Sequence, residues 1–232
     1  MPASRKTEHI RDIDEVSPDT DVFVFLLDFF STRELQGELH FVTGKGKTER
    51  KINIRDRCRT VGKGLLGLHA FSGADWGGKF SGVTKKRWIK HYLSLEEGNA
   101  AVDVLQKFGE DSLDLKGMSH LIENFVCQVY SKTSKCSTVK ELRWELFKSK
   151  NLEAEKLPPT LGALTPHIQR ANLVSRIGKG HRVPRPHIPS LLQNGWEESP
   201  DGTVSPRKCL ELPAPQAVVE LVKCGCRGKC KR

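Results

Sequence analysis

Residues 73–88 read Gly-Ala-Asp-Trp-Gly-Gly-Lys-Phe-Ser-Gly-Val-Thr-Lys-Lys-Arg-Trp, and this stretch decides the predicted fold. Apolar residues over positions 63–72 predict a helix that ends at Gly73, the first residue of this stretch. Thr84 is a suitable N-cap for a second helix over residues 85–93. The pattern therefore predicts two helices joined by a glycine-rich turn. Glycines let the backbone approach a phosphate closely, and amides at the start of the second helix can bind it.

The turn is a candidate phosphate-binding site because positive side chains cluster around its glycines. The candidate nucleic-acid contacts are Gly78, Lys79, Gly82, Thr84, Lys85, Lys86 and Arg87. Such side chains attract backbone phosphates without reading the bases. The alternative is an ordinary loop followed by a solvated basic face, and the turn alone does not separate the two. For Trp76 and Trp88, which flank it, core packing is the preferred interpretation over base stacking.

The whole chain is also basic. Its 232 residues carry 38 Lys and Arg against 28 Asp and Glu, a net charge of +10. This charge favours polyanionic partners, DNA or RNA first, although it could also serve only to keep the protein soluble. No apolar run approaches the roughly 18 residues of a membrane helix, so no membrane partner is expected. Seven cysteines, most of them scattered, indicate reduced thiols and a nuclear or cytoplasmic protein, with the nucleus favoured.

Upstream of the turn, the apolar pattern predicts strands. Residues 21–27 form a continuous apolar run after Asp21, typical of a strand buried on both faces of a parallel sheet. Residues 39–43 and 51–54 are shorter strand candidates, and the glycines between them predict a hairpin. Strands followed by many helices indicate an α/β fold.

Downstream, the sequence predicts a helical extension and then a proline-rich arm. Apolar residues recur at helical spacing over residues 101–108 and 118–129. A capping box at residues 138–141 predicts a helix that carries Trp144 on its apolar side and ends at the following Pro-Pro pair. The pair Thr165-Pro166 predicts the start of another helix. Seven prolines between residues 178 and 215 indicate an extended linker or a wrapping arm.

Three aspartates are the candidate catalytic residues. Asp19 and Asp21 are two residues apart at the start of the predicted strand, where their side chains would point the same way. Asp75 follows the first helix of the glycine-rich turn. Carboxylates that would repel one another suit a hard divalent cation such as Mg²⁺, which takes oxygen ligands. The alternative for the first pair is the capping of a turn or helix.

These motifs resemble those of PIN-like nucleases of the flap-endonuclease type, in the C-terminal half of that fold. In the family, Asp-x-Asp precedes a strand, as residues 19–21 do here. A Gly-x-Asp, as in residues 73–75, precedes a helix-hairpin-helix whose turn corresponds to residues 82–86. The chain is also similar, over most of residues 14–230, to a mobile-element-associated animal family whose members combine a nuclease-like domain with a Cys-rich tail.

The resemblance implies phosphodiester hydrolysis by two divalent ions, Mg²⁺ or Mn²⁺, held by Asp19, Asp21 and Asp75. It also implies more carboxylates from an N-terminal half of the fold that is largely missing here. The acids at residues 12, 14 and 15 do not have the required spacing, and Thr84 replaces the second glycine of the turn. A fragment, a degenerate copy and a domain completed by a partner chain are the interpretations left open.

The C-terminal residues suggest a second metal site. Cys224, Cys226 and Cys230 have the spacing C-x-C-x₃-C, which suits zinc and resembles the opening of a tesmin/TSO1-like CXC domain, a zinc-binding DNA-binding module. That module needs more cysteines, and Cys209 is a candidate fourth ligand. The alternative is a truncated, unstructured basic tail.

Four parts are therefore predicted. They are a PIN-like nuclease-type domain (1–130), a helical extension (131–177), a Pro-rich arm or linker (178–215) and a Cys-rich basic tail (216–232). The expected function is nucleic-acid binding by a nuclease-like fold with an incomplete metal site. Whether it also hydrolyses phosphodiesters stays open. The alternative is a nonenzymatic nuclear DNA-binding or regulatory protein that acts through its basic surfaces and its Cys tail.

Overall fold

Eight α-helices and five short strands make up the described part of the chain. The computed structural model describes residues 13–33, 37–61, 64–75, 78–96, 98–110, 114, 117, 119–150, 154–180 and 183–211. The strands are β1 (Ile13–Val16), β2 (Leu39–Thr43), β3 (Arg50–Asn53), β4 (Trp196–Glu198) and β5 (Val204–Pro206). The helices are α1 (Thr20–Thr32), α2 (Ile54–Val61), α3 (Leu65–Gly73), α4 (Lys85–Tyr92), α5 (Ala100–Lys107), α6 (Ser119–Tyr130), α7 (Val139–Lys150) and α8 (Leu161–Lys179). The predicted α/β class is confirmed.

The apolar run at residues 21–27 lies in helix α1, so the prediction of a buried strand there is wrong. The carboxylate of Asp19 accepts the amide of Asp21 at 2.8 Å and thereby caps the first turn. Beyond Asp28, which is itself buried, α1 continues to Phe30, and Phe30 is buried together with Leu27. A continuous apolar run does not reveal its period, and for this reason strand and helix could not be separated from the pattern.

A three-stranded sheet lies beside α1. β1 pairs with β2 in parallel, with Ile13 opposite Leu39, and β2 pairs with β3 antiparallel. The predicted hairpin is therefore confirmed as β2 and β3. The sheet also contains a parallel strand, but that strand is β1 and not the predicted one at residues 21–27. The small core of this part consists of Leu27, Phe30, Leu39, Phe41 and Ile54. Because α1 begins just after β1, Asp19 and Asp21 lie at the carboxyl end of a parallel strand, where α/β sheets commonly bind ligands.

A larger core lies among the helices from α3 to α8. α3 packs against α8, α5 and α4. At its centre, the fully buried rings of Phe71 and Trp88 meet edge to face with centroids 5.5 Å apart. The helices predicted around the glycine-rich turn are confirmed as α3 and α4, and those predicted over residues 101–108 and 118–129 as α5 and α6. Trp88 packs in the core, which was the preferred interpretation over base stacking. Trp76 lies outside the described residues.

The boundaries of the last two helices differ from the prediction. The predicted cap does open α7, since Thr138 Oγ1 accepts the amide of Glu141 at 3.3 Å. The predicted end is wrong, because α7 ends at Lys150, eight residues before the first proline of the Pro158-Pro159 pair. α8 begins five residues before the predicted start, because its N-cap is Thr160 and not Thr165; the side chain of Thr160 accepts the amide of Ala163 at 3.2 Å. Pro166 consequently lies inside α8.

The arm after α8 packs against that helix. Pro166 has no amide to donate to the carbonyl of Gly162 one turn earlier. The amide of Leu210 donates to that carbonyl instead, at 2.9 Å. Arg170 donates to the carbonyls of Gly195 and Arg207 at 2.9 and 2.7 Å. Between these anchors, β4 and β5 form a short antiparallel hairpin that the sequence had not indicated. Within residues 183–211, these bonds hold the segment against α8.

The predicted zinc tail is not part of the described structure. Cys224, Cys226 and Cys230 lie outside the described residues, so zinc binding there stays a prediction. Within the described residues, no helix combines the length and apolarity needed to cross a membrane.

Candidate nucleic-acid interface and acidic site

Asp21 lies in the first turn of α1, and its carboxylate meets a histidine of α3. His69 Nε2 lies 2.8 Å from Asp21 Oδ1, and the side chain of His69 is 9% exposed while that of Asp21 is 40% exposed. Burial lowers the pKa of His69, the charge of Lys85 lowers it further, and Asp21 and Asp75 act in the opposite direction. His69 is therefore neutral at pH 7 and donates its Nε2 proton to the carboxylate.

Lys85 joins this group from the start of α4. Its ammonium donates to the carbonyl of Gly73 at 2.8 Å, across the glycine-rich turn. Burial lowers the pKa of Lys85, and the charges of Asp21 and Asp75 oppose that effect. Both carboxylates thus act on both Lys85 and His69. The fold has brought Asp21 and Asp75, 54 residues apart in the sequence, to one locality; we call them the acidic pair.

An apolar cavity explains why burial dominates these pKa shifts. The cavity has a volume of about 230 Å³ and lies between α1, α3 and α4, with His69 and Lys85 in its wall. Its apolar lining includes Phe23, Leu27 and Leu68. A charged imidazole or ammonium loses much of its hydration against such a wall.

Asp19 has the capping role that was the alternative to metal binding for the first pair of aspartates. Its carboxylate caps α1 by accepting the amide of Asp21. Among the described residues, no three His, Cys, Asp or Glu side chains are grouped so that they could hold a metal ion. Asp14, one of the upstream acids, pairs with Lys51 across the sheet at 2.8 Å. The acidic pair therefore shares its locality with an imidazole and an ammonium, and the metal assignment stays a prediction.

The glycine-rich turn is exposed and is attached to α6. Gly78 and Gly82 have φ angles of +86° and +72°, a region that favours glycine. Tyr130 donates its hydroxyl proton to the carbonyl of Ser81 at 2.7 Å, and Arg87 donates to the carbonyl of Tyr130 at 2.9 Å. These two bonds fix the turn from both sides. The predicted contacts Lys79, Thr84, Lys86 and Arg87 are all exposed, whereas Lys85 is half-buried and faces the acidic pair.

Two adjoining hollows lie beside the turn, and we call them together the basic cleft. Their volumes are about 310 and 530 Å³, and both are lined by Ser81, Tyr130 and Glu155. The cationic residues that line them are Lys79, Arg87, Arg143, Lys156 and Arg170. Among the described lining residues, Glu155 is the acid that opposes them. The cleft therefore has the charge expected of a surface that binds an anionic backbone.

Sequence reasoning found only part of this site. It named Lys79 and Arg87, but not Arg143, Lys156 and Arg170, which come from the helical extension and reach the turn only through tertiary packing. It also missed His69. A histidine placed among the apolar residues of α3, six residues before Asp75, was the available signal, because such a group needs a polar partner when buried.

Comparisons of this chain with protein-family models, with curated proteins and with solved structures found no match.

Proposed function

We propose that this protein binds the sugar-phosphate backbone of a nucleic acid, DNA or RNA, in the basic cleft. One observation supports this above the others. Five Lys and Arg side chains from five segments of the chain line hollows that adjoin the glycine-rich turn, and one carboxylate opposes them. Cations gathered in a concave surface attract phosphates and release the counterions that surround them. Binding of this kind recognises the backbone and not the base sequence.

The salt dependence of binding tests the proposal. The affinities of the full chain for single-stranded DNA, duplex DNA and RNA should all fall steeply as salt rises. Replacing Lys79 with Ala should weaken binding and reduce the slope of log K against log salt by about 1, the loss of one phosphate contact. Lys47→Ala is the matched control, since Lys47 is an exposed lysine of the β2–β3 turn that does not line the cleft. Salt-insensitive binding, or equal effects of the two replacements, would contradict the proposal.

A second function, phosphodiester hydrolysis, is favoured by the acidic pair next to the turn. Asp21 and Asp75 both act on Lys85, whose ammonium bonds to the turn carbonyl of Gly73. The residues present do not fit a two-metal site by themselves, because Asp19 caps a helix and Lys85 already neutralises part of the acidic charge. Hydrolysis with Mg²⁺ or Mn²⁺ therefore requires acids beyond those that the described residues bring together, and a partner chain is one source of them.

Cleavage assays separate hydrolysis from binding alone. Flap, single-stranded and duplex substrates should be incubated with the protein and Mg²⁺ or Mn²⁺. A double replacement of Asp21 and Asp75 with Asn should abolish metal-dependent cleavage while backbone binding persists. Equal cleavage by that variant would assign the activity elsewhere. Absence of cleavage with intact binding would favour the nonenzymatic DNA-binding alternative. For the Cys tail of that alternative, bound zinc should disappear in Cys226→Ser.

A further inference from the structure

Helix α7 presents two aromatic rings to solvent. Trp144 is 66% exposed and Phe147 is 52% exposed. Their ring centroids are 6.4 Å apart and the ring planes differ by 30°. The opposite side of the same helix is apolar and buried, through Val139, Leu142 and Leu146. The core therefore does not need these two rings, and we call them the aromatic pair.

This exposure is unusual for a tryptophan. The sequence pattern placed Trp144 with Leu142 and Leu146, yet the helix turns the indole away from them. Trp88, in contrast, is fully buried in the same protein. Adjacent exposed aromatic side chains commonly mark an interaction surface, since solvated rings gain free energy when another apolar or aromatic surface covers them.

The charges immediately around the aromatic pair are mixed. Lys140 and Lys148 lie one turn before and one turn after Trp144, so all three share one face of α7, and both lysines are exposed. Glu141, three residues before Trp144, and Glu145, next to it, are also exposed and balance these two charges. The attraction for an anionic chain therefore comes from the basic cleft, and the rings offer that chain an apolar surface.

The aromatic pair lies beside the basic cleft along α7. Arg143 and Leu146, which immediately precede Trp144 and Phe147, line the two hollows of the cleft. Successive residues of a helix are separated by a rise of about 1.5 Å and a rotation of about 100°. A strand whose backbone occupies the cleft would therefore pass about a quarter of the way around α7 to place a base on the rings.

We propose that Trp144 and Phe147 form a base-stacking platform for a single-stranded nucleic acid whose backbone occupies the basic cleft. This inference rests on the proposed function and adds a preference to it. Unpaired bases can turn their faces onto exposed rings, whereas the bases of a duplex are already stacked on one another. The platform should therefore favour single strands over duplexes and show little preference among bases.

The test compares probes that carry the same backbone with and without bases. Fluorescence anisotropy would measure binding of a single strand of about 15 nucleotides, an abasic strand of equal length and a duplex. A double Trp144→Ala and Phe147→Ala replacement should weaken single-strand binding about tenfold and leave the other two probes unchanged. DNA and RNA versions distinguish the two sources of single strand. Trp144→Phe, which keeps a ring, should retain most of the affinity.

Several results would overturn the platform. If the double variant lost as much affinity for the abasic strand as for the normal single strand, or kept its affinity for the single strand, stacking would be excluded. The proposed function would survive that result if Lys79→Ala still weakened binding. If the wild-type protein bound no nucleic acid, both the platform and the proposed function would be contradicted. Loss of self-association in the double variant, with single-strand binding intact, would make the aromatic pair a protein contact instead. The thermal unfolding temperature of the double variant should equal that of the wild type, since both rings are exposed.

Discussion

The imidazole of His69 and the carboxylate of Asp21 are joined by a hydrogen bond of 2.8 Å between α3 and the first turn of α1. The bond orients Asp21 toward Lys85 and the glycine-rich turn. It also connects the two cores, because α1 belongs to the sheet and α3 to the helical part. The position of Asp21 thus depends on packing between α1 and α3, both of which lie in the predicted domain of residues 1–130.

Removing the charge of Asp21 should change the titration of His69. The carboxylate raises the pKa of the imidazole against the effects of burial and of Lys85. Asp21→Asn should therefore lower the pKa of His69 further, which NMR titration of the ring protons would detect. Asp14→Asn is the control, because Asp14 lies in β1 and pairs with Lys51. A pKa of His69 that is unchanged by Asp21→Asn would contradict the observed pairing.

Stability should fall as the solution is made acidic below about pH 6.5, the ordinary pKa of histidine. Burial lowers the pKa of both His69 and His91 in the folded protein. In the window between the lowered and the ordinary pKa, the unfolded chain binds more protons, so protonation favours unfolding. Thermal unfolding temperatures measured across this range should show the decline. Replacing His91 with Gln should reduce it more than the same change at the exposed His120. An equal decline in both variants would assign the pH dependence to other groups.

The helix-capping role of Asp19 can be separated from metal binding by two replacements. Asp19→Ala should destabilise the protein by about 1 kcal/mol, because the amide of Asp21 loses its acceptor. Asn caps helices as well as Asp does, so Asp19→Asn should unfold at the wild-type temperature. If the Asn variant nevertheless lost metal-dependent cleavage, Asp19 would be a metal ligand as well as a cap.

Two glycines of the arm provide a matched pair of tests for its packing. Gly195 and Gly202 both have φ angles of +81°. A Cβ on Gly195 would lie 2.3 Å from the carbonyl oxygen of Pro166, whereas one on Gly202 would have no neighbour within 4 Å. Gly202→Ala should cost about 1 kcal/mol from backbone strain, and Gly195→Ala should cost roughly 2 kcal/mol more by forcing the arm off α8. Faster proteolysis of residues 183–211 in Gly195→Ala alone would report the detachment. Equal stability of the two variants would show that the arm does not depend on this contact.

Local patterns predicted most of the helices and the hairpin, because caps and periodic apolar residues act over a few positions. The run at residues 21–27 failed because uniform apolarity carries no period, and only its neighbours in the fold make it helical. The start of α8 failed for another reason. Proline is expected in the first turn of a helix, but Pro166 is tolerated farther in because Leu210, 44 residues later, binds the carbonyl that it leaves unpaired.

The sequence predicted some residues of the candidate site but missed others that only the fold brings to it. Motif positions named Asp21, Asp75 and Lys85, and both carboxylates act on the ammonium of Lys85. Arg143 and Arg170 could not be found in the same way, since each lies on a helix whose sequence gives no indication of which side faces the turn. The exposure of Trp144 could have been predicted, because Trp144 lies two residues from both Leu142 and Leu146 and therefore off the buried stripe of α7.

The bond between Leu210 and Gly162 bears on where the chain can be shortened. Truncation after α8 would remove the amide of Leu210 from the carbonyl of Gly162 and would take two carbonyl partners from Arg170. Gly162 is buried beside Cys209 and Glu211, so the same truncation would open this side of α8 to water. A shortened protein that keeps these contacts extends through residue 211.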